Sequence, residues 1–324
     1  MLLDIILLVV GLALILVGAN YMTDGAVAIA KRFGMSDFMV GLTIVAMMTS
    51  APELVVSLTS AVNASPSMAI GNLVGSNIFN VLVIIGVVAI VSPIQVTRSV
   101  MVNEIPLMVL SSVALLVMGL SPYLDGGPME VSRVDGLLLL LFFIVFMRYT
   151  FSAAKRMAPA ESDADTSSHQ LMPLWRALLL TCGGLAALIL GGNWFVDGAS
   201  GVAASLGWSQ ALIGLTILAA GTSLPELAAS IAAAIKGFPG MCVGNVIGSN
   251  IFNIFMVMGV TSTVMPLPFG DITLVDLLVL NALALLFWLF GWAYKHRTIT
   301  RIEGVVMVLC YIAYMTYLYF NISQ

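Results

Sequence analysis

Long apolar segments recur along the chain from one end to the other. A membrane-spanning helix needs about 20 mostly apolar residues. The runs here are too long and too uniformly apolar for the short alternating strands of a membrane barrel. We therefore predict an all-α integral membrane protein with ten transmembrane helices. The predicted spans are residues 2–22, 37–62, 67–92, 101–121, 134–152, 173–195, 209–235, 240–265, 272–294 and 301–321.

The composition agrees with this pattern. Apolar residues make up 60% of the chain and charged residues only 9%, against about 25% in ordinary soluble domains. So few charges exclude a soluble enzyme, a disordered chain and a nucleic-acid-binding protein. The three cysteines and two histidines are too few and too scattered for a zinc cluster or histidine-based catalysis. The first apolar segment lacks the basic residues that open a signal peptide, so we interpret it as a span.

The basic residues predict the orientation. If the N-terminus is outside, 11 of the 12 Lys and Arg residues lie on the inner side and only Arg133 lies outside. This is the positive-inside bias. Ten spans return the C-terminus to the outer side, so we expect a multi-pass protein of the cell inner membrane with both termini in the periplasm. The polar segment 153–172 is predicted to be an inner, cytoplasmic linker between five spans and five spans.

The two halves of the chain carry an internal repeat. Residues 41–86 align without gaps with residues 214–259 at an offset of 173, with 23 identities in 46 positions. Because five spans is an odd number, the second copy enters the membrane upside down. We predict inverted-topology five-helix repeats at 1–152 and 173–324, an arrangement that recurs in secondary transporters with a site near the midplane. The alternative is a duplicated scaffold without a transport role.

Two acids, Glu53 and Glu226, lie deep in the predicted spans and are repeat mates. A charge at the bilayer centre costs at least about 2.5–3.5 kcal/mol, which makes each a functional-site hypothesis. The alternative is a structural, hydrogen-bonded carboxyl. A proline precedes each acid and frees backbone carbonyls, so we predict that core helices 2 and 7 are broken. The hydroxyls just upstream belong to Thr49, Ser50, Thr222 and Ser223.

Carboxylate, hydroxyl and carbonyl oxygens together suit a hard cation such as Ca²⁺. The alternative for the hydroxyls is a bond back to their own helix. A second repeated motif, GNxxGSNIFN, supplies further oxygens at Ser76, Asn80, Ser249 and Asn253, which we predict to be ligands. We assign its other amides, Asn72, Asn77, Asn245 and Asn250, to bracing between helices. Its glycine pairs, Gly71 with Gly75 and Gly244 with Gly248, are predicted to let helices approach closely.

Three other acids receive peripheral assignments. Asp24 and Asp197 are expected at span ends, as caps or interface anchors. Glu104 is expected to pair with Arg98 on the inner side. None of these three residues belongs to the predicted site.

The repeated motifs, GTSLPE followed by GNVIGSNIFN in the second copy, resemble those of the calcium/cation antiporter superfamily, specifically its prokaryotic sodium/calcium exchanger branch. The resemblance covers nearly the whole chain. It implies a secondary antiporter that exchanges entering Na⁺ for leaving Ca²⁺. It also implies a core of spans 2, 3, 7 and 8, with long spans 1 and 6 sliding to alternate access. Carried over by position, Glu53 and Glu226 are the calcium carboxylates and the predicted hydroxyl and amide residues are co-ligands.

The chain departs from the family at two positions. Met48 stands where the family and Gly221 have glycine, and Asn253 replaces an acid found in some relatives. The site then carries at most two negative charges, enough for one Ca²⁺ or two monovalent ions. A proton-coupled cation antiporter is therefore the alternative, and a cation channel with uncoupled flux ranks below it. We expect no cofactor, no partner beyond the lipid bilayer and the transported ions, and a monomer.

Overall fold

Helices dominate the structure. The computed structural model describes residues 1–62, 66–124, 126–157, 172–207, 219–270, 272–293 and 297–322. Within those ranges, nine helices are long and apolar enough to cross a membrane, and one further apolar helix is shorter. The helices are α1 (Leu2–Phe33), α2 (Asp37–Val62), α3 (Ser67–Val91), α4 (Arg98–Gly119), α5 (Arg133–Met157), α6 (Leu174–Ser205), α7 (Leu224–Ile235), α8 (Pro239–Val264), α9 (Leu274–Ala293) and α10 (Arg301–Ile322).

The predicted all-α membrane fold is confirmed. The first half of predicted span 7 falls on residues 208–218, outside the described residues, so ten full spans remain a prediction. The predicted linker falls mostly on residues 158–171, also outside them. Helix α5 runs to Met157, five residues into that segment.

Within the described residues, four two-residue strands pair loops that are far apart in the sequence. They are β1 (Ile94–Gln95), β2 (Glu130–Val131), β3 (Leu267–Pro268) and β4 (Thr298–Ile299), besides a single helical turn at Ser121–Leu124. Strand β1 pairs antiparallel with β4, and β2 pairs antiparallel with β3. The loop after α3 is therefore joined to the loop before α10, and the loop after α8 to the loop before α5.

The first and sixth helices are longer than their hydropathy suggests. Each has 32 residues, whereas the predicted spans ended at 22 and 195. The window prediction stopped at polar residues that the helices in fact accommodate. Asp24 and Asp197 lie inside α1 and α6, so their assignment as helix caps was wrong, while a position at the membrane interface stays a prediction. Helix α1 ends at Gly34, whose φ of 61° is the left-handed conformation that glycine adopts readily.

Helices α1 and α6 pack antiparallel at very short range. A Cβ atom on any of three α1 glycines would come within 2.9 Å of atoms of α6, so the backbones nearly touch. As residue numbers rise along α1, the contacted numbers fall along α6. The contacts are Gly11 with Phe195, Gly18 with Leu188, and Gly25 with Thr181.

Helices α2, α3, α7 and α8 form the centre of the structure. Helix α8 is the most enclosed, with 94% of its span window buried, followed by α3 at 72%. Helix α5 packs on the second half of α8, α10 packs on the second half of α3, and α4 packs on α9. The lipid-facing helices α1, α5 and α10 are largely exposed by comparison.

The central helices are irregular where the sequence predicted a break. Ser50 interrupts α2 with φ −81° and ψ 2°, and Ser223 has nearly the same angles before α7. Pro52 and Pro225 lack the N–H that would bond the preceding turn. Wider π-helical turns, which often mark functional sites, lie in α2, α3 and α8. Their bounds are Gly41–Val45, Asn80–Ile84 and Phe252–Met258.

Burial of acids is not restricted to the repeat pair. Glu104, Asp276 and Glu303 are also buried, although only Glu53 and Glu226 lie deep in the predicted spans. Glu104 accepts a 2.7 Å hydrogen bond from the hydroxyl of Tyr149, so its assignment to Arg98 was wrong. Asp276 likewise accepts one of 2.8 Å from Tyr314. These carboxyls join α4 to α5 and α9 to α10.

Candidate cation site

The predicted site residues lie in or directly beside the four central helices, and side-chain contacts join several of them. Nine of the ten are no more than 1% exposed, and Thr222 is partly buried. Hydroxyls of Ser76 in α3 and Thr222, just before α7, lie 3.5 Å apart. The hydroxyl of Thr49 in α2 reaches the side chain of Asn245 in α8 at 3.3 Å. Two motifs that are distant in sequence thus form one buried polar cluster.

Many oxygens of this cluster have no hydrogen-bond partner among the described residues. Buried polar atoms are nearly always bonded, so a concentration of orphaned ones calls for an explanation. In the described part of the chain, only two other such atoms are found, on Glu104 and Ser200, outside the cluster. The cluster's eight are Ser50 Oγ, Glu53 Oε2, Asn80 Oδ1, Ser223 Oγ, both carboxyl oxygens of Glu226, Ser249 Oγ and Asn253 Oδ1. The hydroxyls of Ser50 and Ser223 therefore do not bond back to their own helices.

Asn245 fixes the direction of one threonine hydroxyl. Its Nδ2 donates to Ser230 Oγ at 3.0 Å and to the carbonyl oxygen of Glu226 at 3.5 Å. Because a carbonyl can only accept, the amide oxygen must face the other way, where the Thr49 hydroxyl donates to it at 3.3 Å. The same hydroxyl lies 3.5 Å from Ala46 O of its own helix. Donation to Asn245 leaves the lone pairs of Thr49 available to a cation.

Asn72 makes the same contacts in the other half. Its Nδ2 donates to Ser57 Oγ at 3.3 Å, and its Oδ1 accepts from the hydroxyl of Thr222 at 3.2 Å. Every partner is displaced by 173 residues from its counterpart around Asn245. Ser57 and Ser230 are polar residues of the cluster that our sequence analysis missed. Their signal was present, since serine occupies both copies of the repeat four residues after the glutamate.

We expect Ser230→Ala to weaken Ca²⁺ binding without preventing folding. The substitution removes the acceptor that orients Asn245 and so frees the Thr49 hydroxyl to turn. A net hydrogen bond of this kind corresponds to about a two- to tenfold loss of affinity, measured as the apparent KM for Ca²⁺. Ser57→Ala should raise the apparent KM for Ca²⁺ in the same way. Ser111→Ala, which removes a buried serine bonded to its own helix, should leave the KM unchanged; an equal rise there would contradict the orienting role.

Side-chain amides of α3 and α8 form hydrogen bonds that link the two halves of the chain. Asn77 and Asn250 each donate to the other's backbone carbonyl, at 3.3 and 3.5 Å. Asn80 donates to Asn250 Oδ1 at 3.1 Å, and Asn253 donates to Asn77 Oδ1 at 3.0 Å. The nitrogens of Asn80 and Asn253 are thus engaged while their oxygens remain unpartnered. Both residues present neutral oxygens to the cluster.

Glycines bring α8 against α2. A Cβ on Gly244 would lie 2.2 Å from the carbonyl oxygen of Phe38, and one on Gly248 would lie 2.6 Å from that of Leu42. Close packing is therefore confirmed for this glycine pair. The residues that would face Gly71 and Gly75 under the repeat, 211 and 215, lie outside the described residues. The α2–α8 contact sets the distance across which Thr49 reaches Asn245.

The cluster is rich in oxygen but poor in charge. No group of three or more His, Cys, Asp and Glu residues that could hold a metal occurs in the part of the chain that the structure describes. The salt bridges found within the same residues, Met1 with Asp4 and Lys236 with Asp24, do not involve either glutamate. A cation held here would be bound by two carboxylates and by neutral hydroxyl and amide oxygens, as hard cations prefer.

The two ends of the core are packed differently. On α7, Ala229 and Ala233 are 2% and 1% exposed because α1 covers them. Their repeat mates on α2, Val56 and Ser60, are only partly buried, and neighbouring Thr59 is exposed. Helix α6 does not pack along Ala51–Val62 in the way that α1 packs along α7, as judged on these described segments. Among the described residues, α7 is therefore covered by α1 more fully than its repeat mate in α2 is covered by α6.

A buried oxygen cluster between broken membrane helices is typical of an ion transporter. The sodium/calcium exchanger protein family matches residues 3–152 and 176–320, nearly the whole chain. The protein belongs to this family, which transports Na⁺ and Ca²⁺. Its predicted place in the calcium/cation antiporter superfamily is confirmed, and it is a multi-pass membrane transporter.

Individual relatives match over almost their full lengths. The sodium/calcium exchanger MaX1 of Methanosarcina acetivorans is 31% identical over 353 residues, covering 98% of this chain and 99% of its own. The inner membrane protein YrbG of Escherichia coli is 35% identical over 329 residues, covering 98% of each. A solved structure of the sodium-calcium exchanger NCX_Mj, soaked with zero Na⁺ and Ca²⁺, matches with a TM-score of 0.82 and 34% identity, over 98% and 99% of the two chains.

Proposed function

We propose that this protein extrudes Ca²⁺ in exchange for Na⁺, with Glu53 and Glu226 as the central ligands of one buried site. The observation that supports this most is that eight oxygens, on seven predicted residues, have no hydrogen-bond partner among the residues that the structure describes. Ca²⁺ takes 6–8 oxygen ligands, including carboxylates and neutral carbonyl oxygens. Hydroxyls of Thr49 and Thr222 add to the set, because each donates its proton to an asparagine.

Charge balance explains why the two ions would exclude each other. The two carboxylates are neutralised by one Ca²⁺ or by two Na⁺, and both ions use the same oxygens. Binding of one then displaces the other. Since Asn253 adds an oxygen without charge, a proton could also occupy part of the site. Proton-coupled exchange is therefore the competing candidate.

We further propose that access alternates between the two ends of the core. The contact of α1 with α7 would close the inner end, and the sparser cover of α2 by α6 would allow the outer end to open. Glycines bring the backbones of α1 and α6 into close contact, so this helix pair would slide as one unit. The antiparallel contacts of α1 with its repeat mate α6 support inverted five-helix repeats at 1–152 and 173–324. The positive-inside bias supports placing both termini on the outer side of the inner membrane.

An ion pair would hold the inner end closed. Lys236, in the turn after α7, places its Nζ 2.7 Å from Asp24 Oδ1 and 2.7 Å from the Asn20 carbonyl oxygen, both on α1. Asn63, the repeat mate of Lys236, has no charge. We expect Asp24→Asn to lower the outward-open population by up to about fivefold, the range of a partly exposed ion pair.

Labelling of Thr59→Cys by an impermeant maleimide, in a chain whose native cysteines are alanine, would measure this population. Asp24→Asn should slow the labelling. Asp197→Asn on α6 is the matched control, because it removes the repeat-related acid and should leave the rate unchanged. Equal rates in the two variants would mean that the ion pair does not bias the equilibrium.

Transport itself tests the proposed coupling. The experiment is uptake of ⁴⁵Ca²⁺ into proteoliposomes preloaded with Na⁺, with and without an outward Na⁺ gradient, at clamped pH. Uptake that requires the gradient supports sodium/calcium exchange. Uptake that does not depend on Na⁺ and follows an imposed pH gradient would instead support proton-coupled exchange. Uptake that needs neither and follows voltage alone would indicate a channel.

A further inference from the structure

A deep groove separates α4 from α5 on the lipid-facing side of the molecule. Because α4 packs on α9 and α5 packs on α8, the two helices diverge around a cavity of about 700 Å³. Its walls are almost wholly apolar, with Leu107 and Leu110 from α4 and Phe142 and Val145 from α5, and Phe255 of α8 also lines it. A space of this kind within a bilayer is filled by hydrocarbon.

One end of the groove is polar and basic. A second cavity of about 500 Å³ is lined by Ser99, Asn103, Arg148 and Ser152. It continues the first, since Asn103, Val145 and Tyr149 line both. Arg148 is exposed and forms no salt bridge with any residue that the structure describes. Tyr149 is held by its bond to Glu104, which fixes the junction between the apolar and the polar part.

We propose that this groove is a binding site for one anionic phospholipid. An acyl chain would lie between Leu110 and Val145, and the headgroup phosphate would pair with Arg148 and accept hydrogen bonds from the Ser99 and Ser152 hydroxyls. Arginine matches phosphate geometry through its forked N–H donors. Basic pockets between membrane helices on the cytoplasmic side are sites of this type. The role is independent of the ion site, which lies deeper in the core.

The repeat-related face provides a contrast within the same molecule. There α9 and α10 are joined by Asp276 and Tyr314, as α4 and α5 are by Glu104 and Tyr149. The position of Asn103 in the repeat is taken by Asp276, and the residue before the tyrosine is Ala313 instead of Arg148. Each face thus has one carboxyl bonded to a tyrosine, but only the α4–α5 face has an arginine beside that tyrosine to pair with a phosphate. Of these two faces, only the α4–α5 groove combines an apolar channel with a positively charged end.

Native mass spectrometry of the purified full chain tests the proposal. The protein is extracted from vesicles of phosphatidylglycerol and phosphatidylcholine in equal amounts, and retained lipid is counted per chain. We expect one phosphatidylglycerol to be retained in preference to phosphatidylcholine. Arg148→Gln should lower its retention about fivefold, as expected for one basic residue at the membrane surface. Arg133→Gln, at the other end of α5, should leave it unchanged.

A second variant separates the groove from general surface charge. Val145→Trp fills the apolar channel but keeps Arg148, and it should also abolish selective retention. Equal retention of both lipids by the wild-type chain, or equal losses in Arg148→Gln and Arg133→Gln, would show ordinary annular contact and overturn the proposal. Retention that survives Val145→Trp would place the lipid elsewhere and equally overturn it.

Discussion

Glu226→Gln is expected to abolish Na⁺-dependent ⁴⁵Ca²⁺ uptake, and Glu53→Gln should do the same. Each change keeps the shape of the side chain and removes one of the two charges in the cluster. Two unit charges about 4 Å apart interact by about 4 kcal/mol at an effective dielectric of 20. The loss of one carboxylate should therefore weaken Ca²⁺ binding about a thousandfold or more. Isothermal titration or equilibrium ⁴⁵Ca²⁺ binding measures this directly.

A suitable control for the glutamate variants is Glu104→Gln. Glu104 is as buried as Glu53 and Glu226, at 1% exposed, but its carboxyl bonds Tyr149 outside the cluster. Glutamine keeps an acceptor for that tyrosine, so exchange should persist. Normal exchange in both Glu53→Gln and Glu226→Gln would reject the site assignment. Loss in all three variants would instead indicate that any buried acid is required for folding.

Gly244→Ala should cost both stability and transport. The added Cβ would meet the Phe38 carbonyl oxygen at 2.2 Å, and a backbone atom cannot move aside cheaply. Overpacking of this kind destabilises by about 1–3 kcal/mol. If α8 moves away from α2, the 3.3 Å bond from Thr49 to Asn245 lengthens and the site loosens. We expect a lower unfolding temperature in detergent together with a raised KM for Ca²⁺.

Gly183→Ala provides the matched control for this substitution. Gly183 also lies within a helix, but a Cβ there meets nothing within 4 Å among the described residues. Alanine should be neutral or stabilising, since glycine costs about 1 kcal/mol in a helix interior. An unchanged unfolding temperature in Gly244→Ala would show that the α2–α8 contact yields easily and does not set the site geometry.

The internal repeat carried most of what could be predicted about the site. Because every motif occurs twice at one offset, Glu53 and Glu226 were distinguished from other polar residues without any view of the fold. The same offset contained Ser57 and Ser230, yet we overlooked them. Their importance rests on a hydrogen bond to an asparagine 15 residues away, which no local pattern indicates.

Sequence hydropathy was less reliable at the helix ends. It ended α1 at 22 because Asp24 is unfavourable in lipid, but Asp24 is paired with Lys236 from the turn after α7. It likewise placed Glu104 near a span end beside Arg98. The tertiary structure instead buries Glu104 against Tyr149, 45 residues along the chain. A polar residue that is hydrogen-bonded or ion-paired does not carry the full free-energy cost of transfer into lipid that an isolated one carries.

The membrane class, nearly all of the spans and the candidate oxygen-bearing residues could be predicted from the sequence alone. These follow from composition, from hydrophobic length and from duplication, all of which are local or periodic properties. The three-dimensional packing was needed to show which oxygens lack a partner among the described residues, which helices touch, and that α1 covers α7 more fully than α6 covers α2. These depend on contacts between residues far apart in the chain, and a symmetric sequence repeat does not indicate that its two halves are packed differently.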